Sequence, residues 1–334
     1  MSTSSVFDYY ENALLAFASY GLNLKGLGKD AYKNALVVRG MTEAQGADFA
    51  SRYAVMDQME DTPNGASATI FKTGVNYIFA IRGTKGLTDL AANLVDITFK
   101  GLAIFQALDI YNYYLRLTAS GTGARVYQYS YDGGRGLRSS FIIATGQGEL
   151  YGKSVTLTGH SLGGHLAAIL SRLIPASVNS VYTYNAPGVD PLTNPDPGSE
   201  WFFTTLRQLE IDTVGSSSIA ANYAIPKMNP LAVPEDTIHI LGLVPGVQDK
   251  IFSESQGLLP FHGISPMTDS LAVHRLLAVL NPGKSTPDIL ALGLNLIRAS
   301  ANKEIWGSHR NDRNGADQGH PSNSCKTAID GCPG

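Results

Sequence analysis

The stretch Thr156-Leu157-Thr158-Gly159-His160-Ser161-Leu162-Gly163-Gly164-His165 decides the fold that this sequence predicts. A β-rich run leads into it, and apolar residues follow at helical spacing, namely Leu162, Leu166, Ile169, Leu170 and Leu173. Gly159 and Gly163 flank Ser161 in a G-x-S-x-G pattern. Because glycines lack a Cβ, they let a strand and a helix meet across a very sharp turn. The stretch therefore predicts a strand, a turn that presents the Ser161 hydroxyl, and a helix whose positive dipole end faces that hydroxyl.

The bulk composition is that of an ordinary globular protein. The chain has 334 residues, of which 44% are hydrophobic and 16% are charged, so it is long enough to bury a large core. Its formal net charge of -3 gives no electrostatic reason for binding nucleic acid or an anionic membrane. We therefore predict no nucleic-acid partner, and we expect any contact with lipid to be hydrophobic or local.

Targeting signals are sparse in this sequence. Residues 1–8 lack the basic start and the apolar core of a signal peptide. The longest apolar run, Leu94 to Leu117, is interrupted by four charged residues and is not a membrane span. We expect a chain that is soluble as made, and any export would use a route without a cleaved Sec signal. Cys325 and Cys332 form either a small disulfide loop after export or two unbonded thiols, and two such ligands do not predict a metal site.

Strands and helices alternate along the chain. Ser67–Lys72 and Val75–Ile81 are β-rich runs that predict a hairpin with a buried second strand. Asn179–Pro187 predicts a further strand that ends at proline, and Leu206–Ile211 predicts another from its alternation of apolar and polar residues. This order predicts an α/β fold with a mostly parallel central sheet flanked by helices.

Two more motifs give the pattern a family resemblance. The second hairpin strand ends in Arg82-Gly83-Thr84, and Asp89-Leu90-Ala91-Ala92-Asn93 follows it. Together with Gly159-His160-Ser161-Leu162-Gly163-Gly164, these segments resemble the class 3 lipase family of α/β-hydrolases, over roughly Ala68 to Leu280. Within that family the chain is most similar to secreted bacterial phospholipases A1. The resemblance implies hydrolysis of the acyl esters of phospholipids, with triacylglycerols or lysophospholipids as the alternative substrates.

The resemblance also implies a domain organisation. Residues 1–334 are expected to form a single α/β-hydrolase domain. In this family the segment after the Arg-Gly-Thr strand often carries a lid, and residues 97–117 are apolar, rich in aromatic residues and poor in charge. An amphipathic helix there could cover an acyl pocket and lie on a lipid surface when open, and the alternative is a core helix. Residues from about 306 to 334 are polar, and we expect a poorly ordered tail.

The predicted catalytic acid is Asp212. A serine is a weak nucleophile until a base takes its proton, and a carboxylate must orient that base. In α/β-hydrolases these residues follow in the order serine, acid, histidine. Asp212 stands just past the predicted strand Leu206–Ile211, in a segment similar to the family's acid-bearing one. Glu210, which shares its face, and Asp190, which follows the strand that ends at Pro187, are the alternatives.

The predicted catalytic base is His262, one of seven histidines. It lies in a loop just before a predicted helix, where its side chain is free to point at Ser161. His262-Gly263-Ile264 also resembles the family's catalytic-histidine segment, although the family more often has serine where Gly263 stands. His274, inside that helix, is the alternative. The remaining five histidines are not candidates for the base. We expect structural roles for His160 and His165 and a core position for His239, and His309 and His320 lie in the polar tail.

The tetrahedral intermediate of ester hydrolysis needs two donors aimed at its oxyanion. The turn geometry supplies the backbone N–H of Leu162, and the resemblance supplies Thr84. This chemistry requires no cofactor or metal, and Asp132-Gly133-Gly134 is too short to indicate a calcium site.

The sequence thus predicts a serine lipolytic esterase, a phospholipase A1, with Ser161, His262 and Asp212 as its triad. Its partners would be an acyl-ester lipid and a membrane or micelle surface, and the activity is compatible with an accessory or inhibitory protein. An α/β-hydrolase module that binds but does not catalyse is the alternative of another class, and it predicts a broken triad.

Overall fold

The computed structural model describes residues 4–84, 102–190, 199–253 and 261–301. Nine strands lie in these ranges: β1 (Ala54–Met59), β2 (Ala68–Thr73), β3 (Asn76–Ile81), β4 (Arg125–Asp132), β5 (Gly136–Ile143), β6 (Val155–His160), β7 (Val178–Tyr184), β8 (Met228–Ala232) and β9 (Asp249–Lys250). The same ranges hold eight α-helices: α1 (Val6–Ala18), α2 (Lys29–Val37), α3 (Glu43–Arg52), α4 (Ile104–Leu117), α5 (Leu162–Leu173), α6 (Glu200–Val214), α7 (Ile264–Leu280) and α8 (Thr286–Ala301).

Seven of these strands form the central sheet, in the order β1-β2-β3-β6-β7-β8-β9. The hairpin β2–β3 is antiparallel, as predicted, and β1 joins its outer edge antiparallel. From β3 onward every neighbouring pair is parallel. Strands β4 and β5 form a separate antiparallel hairpin. This confirms the predicted α/β-hydrolase class, with a mostly parallel sheet flanked by helices.

Each face of the sheet is covered by its own hydrophobic core. In β3, Phe79 and Ile81 point into the core beneath helices α4, α5 and α6. Ile78 and Ala80, which alternate with them, point into the opposite core with helices α1, α7 and α8. Successive side chains of a strand face opposite sides of a sheet, so both sets can be buried at once. Burial on both faces explains why the central strands are almost continuously apolar.

The segment predicted as the strand Leu206–Ile211 is helical, and this part of the prediction is wrong. It lies in the middle of helix α6, whose buried residues Phe202, Phe203, Leu206 and Glu210 recur at helical spacing. The helix ends at Gly215, which has a φ of 82°. A run of six alternating residues is too short to separate a strand from one face of a helix, so the longer spacing decides.

Helix α4 lies in the core. Its buried residues include Ile104, Leu108, Ile110 and Leu117, and they pack in the same cluster as β3 and α5. Ile104–Leu117 is therefore packed as the alternative of a core helix predicts, and the lid over residues 97–117 stays a prediction. Residues 97–101 of the proposed lid, Asp89 to Asn93 and the polar tail from 306 to 334 lie outside the described residues. None of the helices in the described residues is long and apolar enough to cross a membrane.

Candidate active site

Ser161 sits on a strained turn between β6 and helix α5. Its φ is 57° and its ψ is -131°, a conformation that side-chain-bearing residues rarely adopt. Such a conformation costs about 1–3 kcal/mol and persists only where its surroundings enforce it. Here the Ser161 N–H donates to the carbonyl of Tyr184, at the end of β7, over 2.9 Å. This is the strand-turn-helix arrangement that the G-x-S-x-G pattern predicts.

The glycines of the motif are required by close backbone packing. A Cβ on Gly159 would collide with the backbone of Gly163, and a Cβ on Gly163 would collide with the carbonyl of Ile81. Gly83, just beyond β3, also packs against the turn, since its Cβ would lie 3.2 Å from the Cβ of Ser161. The end of β3 and the start of α5 therefore meet at Ser161.

Ser161, His262 and Asp236 form a continuous hydrogen-bonded chain. The Nε2 atom of His262 lies 2.8 Å from the Oγ atom of Ser161. On the other side of the ring, Nδ1 lies 2.9 Å from Oδ2 of Asp236. All three residues are buried, and Asp236 is only 2% exposed. The second oxygen of Asp236 accepts a hydrogen bond from the backbone N–H of Ile238 over 3.1 Å, which fixes the carboxylate.

Ser161 and His262 are thus brought together as predicted, but Asp212 is not part of this arrangement. Asp212 lies near the end of helix α6 on the protein surface, where its carboxylate accepts a hydrogen bond from Gln208, one turn earlier, over 2.9 Å. Its placement as the partner of His262 is wrong because the segment before it is a helix and not a strand of the sheet. The residue that contacts His262 in its place is Asp236.

The two alternative acids also lie elsewhere. Glu210 is buried in helix α6, where its carboxylate accepts hydrogen bonds from the hydroxyls of Tyr111 and Ser217. Burial raises the pKa of Glu210, because desolvation disfavours the charged form. Asp190 accepts a hydrogen bond from the backbone N–H of Ser199. Both carboxylates have structural partners of their own.

Asp236 was missed although the sequence holds a signal for it. The buried run Leu231-Ala232-Val233 precedes the acidic pair Glu235-Asp236, and both stand before His262 in the chain. That is the position at the carboxyl end of a parallel strand where functional groups of α/β sheets gather. However, Pro230 lies inside this strand, and a proline weakens the case for a central strand. The short strand β8 is therefore hard to recognise from the sequence.

The side chain of Asn185 connects the loop that carries Asp236 to the loop that carries His262. Its side-chain oxygen accepts from the backbone N–H of Val233 over 2.8 Å, and its side-chain NH₂ donates to the carbonyl of Phe261 over 2.9 Å. Asn185 is fully buried and has a φ of 44°, which asparagine tolerates better than most residues. One side chain at the end of β7 thus connects the two loops that carry Asp236 and His262.

The backbone N–H of Leu162 is one candidate donor for the oxyanion. Leu162 is the first residue of helix α5, and the first N–H groups of a helix have no acceptor within it. The predicted second donor, Thr84, follows Gly83 directly and is partly exposed. Gly83 packs against Ser161, and Thr84 is the next residue along the chain.

The ring of His160 lies against the ring of His262, with 4.8 Å between the ring centroids, and it has a structural role. Its Nε2 atom donates to the backbone carbonyl of His262, and its Nδ1 atom accepts from the hydroxyl of Tyr20 over 2.9 Å. Burial, together with repulsion from His262 when that ring is protonated, lowers the pKa of His160 to about 3. The ring is therefore neutral, as one donated and one accepted hydrogen bond require.

The other described histidines are also buried. His165 hydrogen-bonds to the carbonyl of Gly188 and to the N–H of Ala103, and burial lowers its pKa to about 4. His274 lies inside helix α7 and bonds to two backbone carbonyls, so it is not the base. His239 is 9% exposed, in agreement with a place in the core. His309 and His320 lie outside the described residues.

Comparison with known proteins identifies one family match. Residues 78–190 match the family model of Lipase (class 3). Among solved structures, the chain is similar to a triacylglycerol lipase whose catalytic centre is described as a serine protease triad, with 14% identity over 75% of this chain and 82% of that chain and a TM-score of 0.41. It is also similar to lipase II from Rhizopus niveus, with 13% identity over 75% of this chain and 83% of that chain and a TM-score of 0.34. No curated protein sequence matches the chain. The matched residues include Ser161 and end before Asp236 and His262.

Proposed function

We propose that this protein is a serine esterase of the class 3 lipase family that hydrolyses the acyl esters of lipids. The observation that carries the proposal is the hydrogen-bonded chain from Ser161 through His262 to Asp236. The family match over residues 78–190 supports a lipolytic hydrolase, and it covers the strand end at Thr84 and the turn at Ser161. A binding module without catalysis would not need a buried carboxylate aligned with the histidine that contacts the serine.

The first chemical step would be attack by Ser161 on the ester. Nε2 of His262 takes the proton as the Oγ atom forms a bond to the carbonyl carbon, and the carbonyl electron pair moves onto its oxygen. Asp236 holds Nδ1–H of the ring and stabilises the imidazolium that forms. The backbone N–H of Leu162, with Thr84 as the second donor, would bind the resulting oxyanion.

The intermediate then collapses to an acyl-enzyme. The carbonyl forms again, the bond to the alcohol breaks, and the alcohol leaves with the proton from His262. Water next attacks the acyl-enzyme while His262 takes a proton from it, and the second collapse releases the fatty acid and restores the Ser161 hydroxyl. Every proton transfer runs through His262, so no step requires a metal ion or a cofactor.

The proposed substrate is a phospholipid cleaved at its sn-1 acyl ester. The choice is supported by the resemblance of the chain to phospholipases A1 within the class 3 lipase family. Triacylglycerol and lysophospholipid remain the alternative substrates within the same chemistry.

The test uses a phospholipid that carries distinguishable acyl chains at sn-1 and sn-2. We expect the protein to release the sn-1 fatty acid and the Ser161→Ala variant to release almost none. Ser171→Ala is a matched control, because Ser171 is a buried serine of helix α5 whose hydroxyl donates to the backbone carbonyl of Ala168 over 2.6 Å. Its activity should stay close to that of the parent protein.

Other outcomes would change the proposal in defined ways. Preferential sn-2 release would contradict phospholipase A1 activity but not ester hydrolysis at Ser161. Release from triacylglycerol alone would identify a neutral lipase. No release from phospholipid, glyceride or a simple soluble ester would favour the binding module without catalysis.

A further inference from the structure

The backbone around His262 is held by two buried side chains. Phe261, the residue before it, has a φ of 65°, which residues with a side chain rarely adopt. The carbonyl of Phe261 accepts a hydrogen bond from Asn185 over 2.9 Å. The carbonyl of His262 accepts one from Nε2 of His160. Because a strained backbone persists only where its surroundings enforce it, these two contacts help to set the position from which the His262 ring reaches Ser161.

The His160 ring joins the backbone of His262 to the side chain of Tyr20. A carbonyl oxygen only accepts hydrogen bonds, so Nε2 of His160 carries the ring proton. Burial lowers the pKa of His160 to about 3, so the ring is neutral and Nδ1 carries no proton. The Tyr20 hydroxyl lies 2.9 Å from Nδ1 and is its donor. A ring that is bonded at both nitrogens cannot turn or shift without breaking one of these bonds.

The proton of the Tyr20 hydroxyl is directed at His160 from the end of β3. Gly83 packs so closely against this hydroxyl that a Cβ at position 83 would collide with its oxygen. Burial raises the pKa of Tyr20, and the charge of Arg82 and a hydrogen bond from the backbone of Gly83 oppose this rise. The hydroxyl therefore stays protonated at neutral pH. Since its oxygen accepts from the N–H of Gly83, its own proton is donated to His160.

The backbone of Tyr20 is fixed on both sides. Tyr20 follows helix α1, and its N–H donates to the carbonyl of Phe17 in that helix over 3.1 Å. On the other side, the side chain of Gln58 in β1 donates to the carbonyl of Gly21 over 2.9 Å and accepts from the N–H of Leu24 over 2.6 Å. The Tyr20 hydroxyl is thus presented to the site by ordered elements of the fold.

We propose that Tyr20 is a positioning residue for the catalytic base, and that its hydroxyl holds the His160 ring where that ring binds the backbone of His262. This inference rests on the proposed esterase function. The N–H of Gly83, the Tyr20 hydroxyl and Nε2–H of His160 donate in one direction along a chain that ends at the His262 carbonyl, and hydrogen bonds in such a chain strengthen one another. Without the hydroxyl, the buried Nδ1 of His160 would lose its donor, and a turn of the ring toward another donor would weaken the contact with His262.

The first test is steady-state kinetics of Tyr20→Phe on a water-soluble ester. The change keeps the aromatic ring and removes only the hydroxyl. We expect kcat to fall about 10-fold, because a small displacement of the base slows the reaction steeply, and KM to change by less than about twofold. The matched control is Tyr53→Phe, which removes a hydroxyl of another buried tyrosine, one that donates to Glu11 of helix α1 over 3.0 Å. Its kcat should stay at the value of the parent.

A double-variant cycle tests whether Tyr20 acts through His160. His160→Leu keeps much of the bulk of the ring but removes both of its hydrogen-bonding nitrogens. In that background Tyr20→Phe should lower kcat by less than about twofold, because the residue that transmits its effect is gone. An equal fold-loss from Tyr20→Phe in both backgrounds would overturn the proposal, since the hydroxyl would then act on the site without His160.

Heteronuclear NMR of protein with isotope-labelled histidine gives a readout that does not depend on activity. Comparison with His160→Leu identifies the signals of His160. In the parent we expect a proton on Nε2 and none on Nδ1, and a proton on Nδ1 would overturn the proposal without any change at Tyr20. In Tyr20→Phe the Nε2 proton should exchange with water about 10-fold faster than in the parent, and in Tyr53→Phe it should exchange at the rate of the parent. Equal exchange in Tyr20→Phe and the parent would show that the hydroxyl does not hold the ring.

These measurements separate the positioning role of Tyr20 from the proposed function. If the parent hydrolyses the ester and Tyr20→Phe keeps the kcat of the parent, the esterase stands and the positioning role is wrong. Equal losses of kcat in Tyr20→Phe and Tyr53→Phe would also overturn the positioning role, because they would reflect a general loss of stability. If the parent and Ser161→Ala alike hydrolyse no ester, the proposed function fails, and the NMR measurement alone decides whether Tyr20 holds the His160 ring.

Discussion

The turn that carries Ser161 and the two loops that carry Asp236 and His262 are built in different ways. The turn lies within residues 155–173, and its shape follows from backbone contacts that only glycine permits at positions 159 and 163. The two loops come from separate parts of the chain and are joined by the side chain of Asn185 and by the hydrogen bond between Asp236 and His262.

The turn at Ser161 and the two loops are therefore encoded differently in the sequence. The turn is encoded locally, since a strand, a short glycine-flanked motif and a helix are adjacent in the sequence. The loops are encoded by long-range polar contacts whose partners are known only when the fold is known. The first half can be recognised as a motif, whereas the second half requires knowledge of which strand ends lie side by side.

The largest expected effect compares the two candidate acids. Asp236→Asn should lower kcat by about 10³-fold or more, because an amide cannot hold the histidine tautomer or stabilise the imidazolium. Asp212→Asn, a change of the same size on the surface of helix α6, should leave kcat unchanged to within about twofold. Steady-state kinetics on a soluble ester measure both, and circular dichroism checks that each variant is folded.

The contrary result would reassign the acid. Loss of activity in Asp212→Asn, with activity retained in Asp236→Asn, would mean that the hydrogen bond between Asp236 and His262 is not used in catalysis. Equal losses in both variants would point to a general effect on folding, which the spectra would show.

The next effect concerns the turn itself. Gly163→Ala should destabilise the protein by about 3 kcal/mol, because the added Cβ would collide with the backbone carbonyl of Ile81, which cannot move aside as a flexible side chain could. Gly121→Ala is the matched control, since no atom lies within 4 Å of a Cβ at that position. Urea denaturation measures both changes.

A small effect of Gly163→Ala, similar to that of Gly121→Ala, would contradict the local account of the turn. It would show that β3 and helix α5 can move apart at a low cost in free energy. The geometry at Ser161 would then depend on long-range contacts, like that of the two loops.

The sequence predicts the fold class, the hairpin β2–β3 and the turn at Ser161, and it correctly places His262 beside Ser161. These predictions succeed because each depends on a local pattern: a continuous apolar run in β3, glycine spacing around Ser161, and a loop just before helix α7 for His262. The acid was misplaced because the run Leu206–Ile211 alternates over too few residues to separate a strand from a helix.

Residues 104–117 illustrate a second limit of the sequence. An apolar stretch with few charges fits a lid that covers a pocket and also a helix buried in the core. A lid and a core helix differ in what packs against the polar side of the helix. In helix α4, Asn112 lies on that side and hydrogen-bonds to the backbone of Tyr129 in β4. Such a contact between distant segments is not visible in the periodicity of the helix.

The smallest expected effect concerns His160, which joins the turn to the loop of His262. Burial lowers its pKa to about 3, whereas an unfolded histidine has a pKa of about 6.5. Between these values the unfolded chain binds a proton that the folded chain does not, so stability is fully present above about pH 6.5 and falls with acidification. In His160→Gln, which can still donate to the carbonyl of His262, the free energy of unfolding should fall by about 2 kcal/mol less between about pH 7 and about pH 5 than it does in the parent. Urea denaturation at a series of pH values measures this difference. If the free energy of unfolding falls equally with pH in the parent and the variant, His160 is protonated in the folded protein over this range. A charged His160 ring would then lie against His262, and the proposed link between the turn and the loop would be wrong.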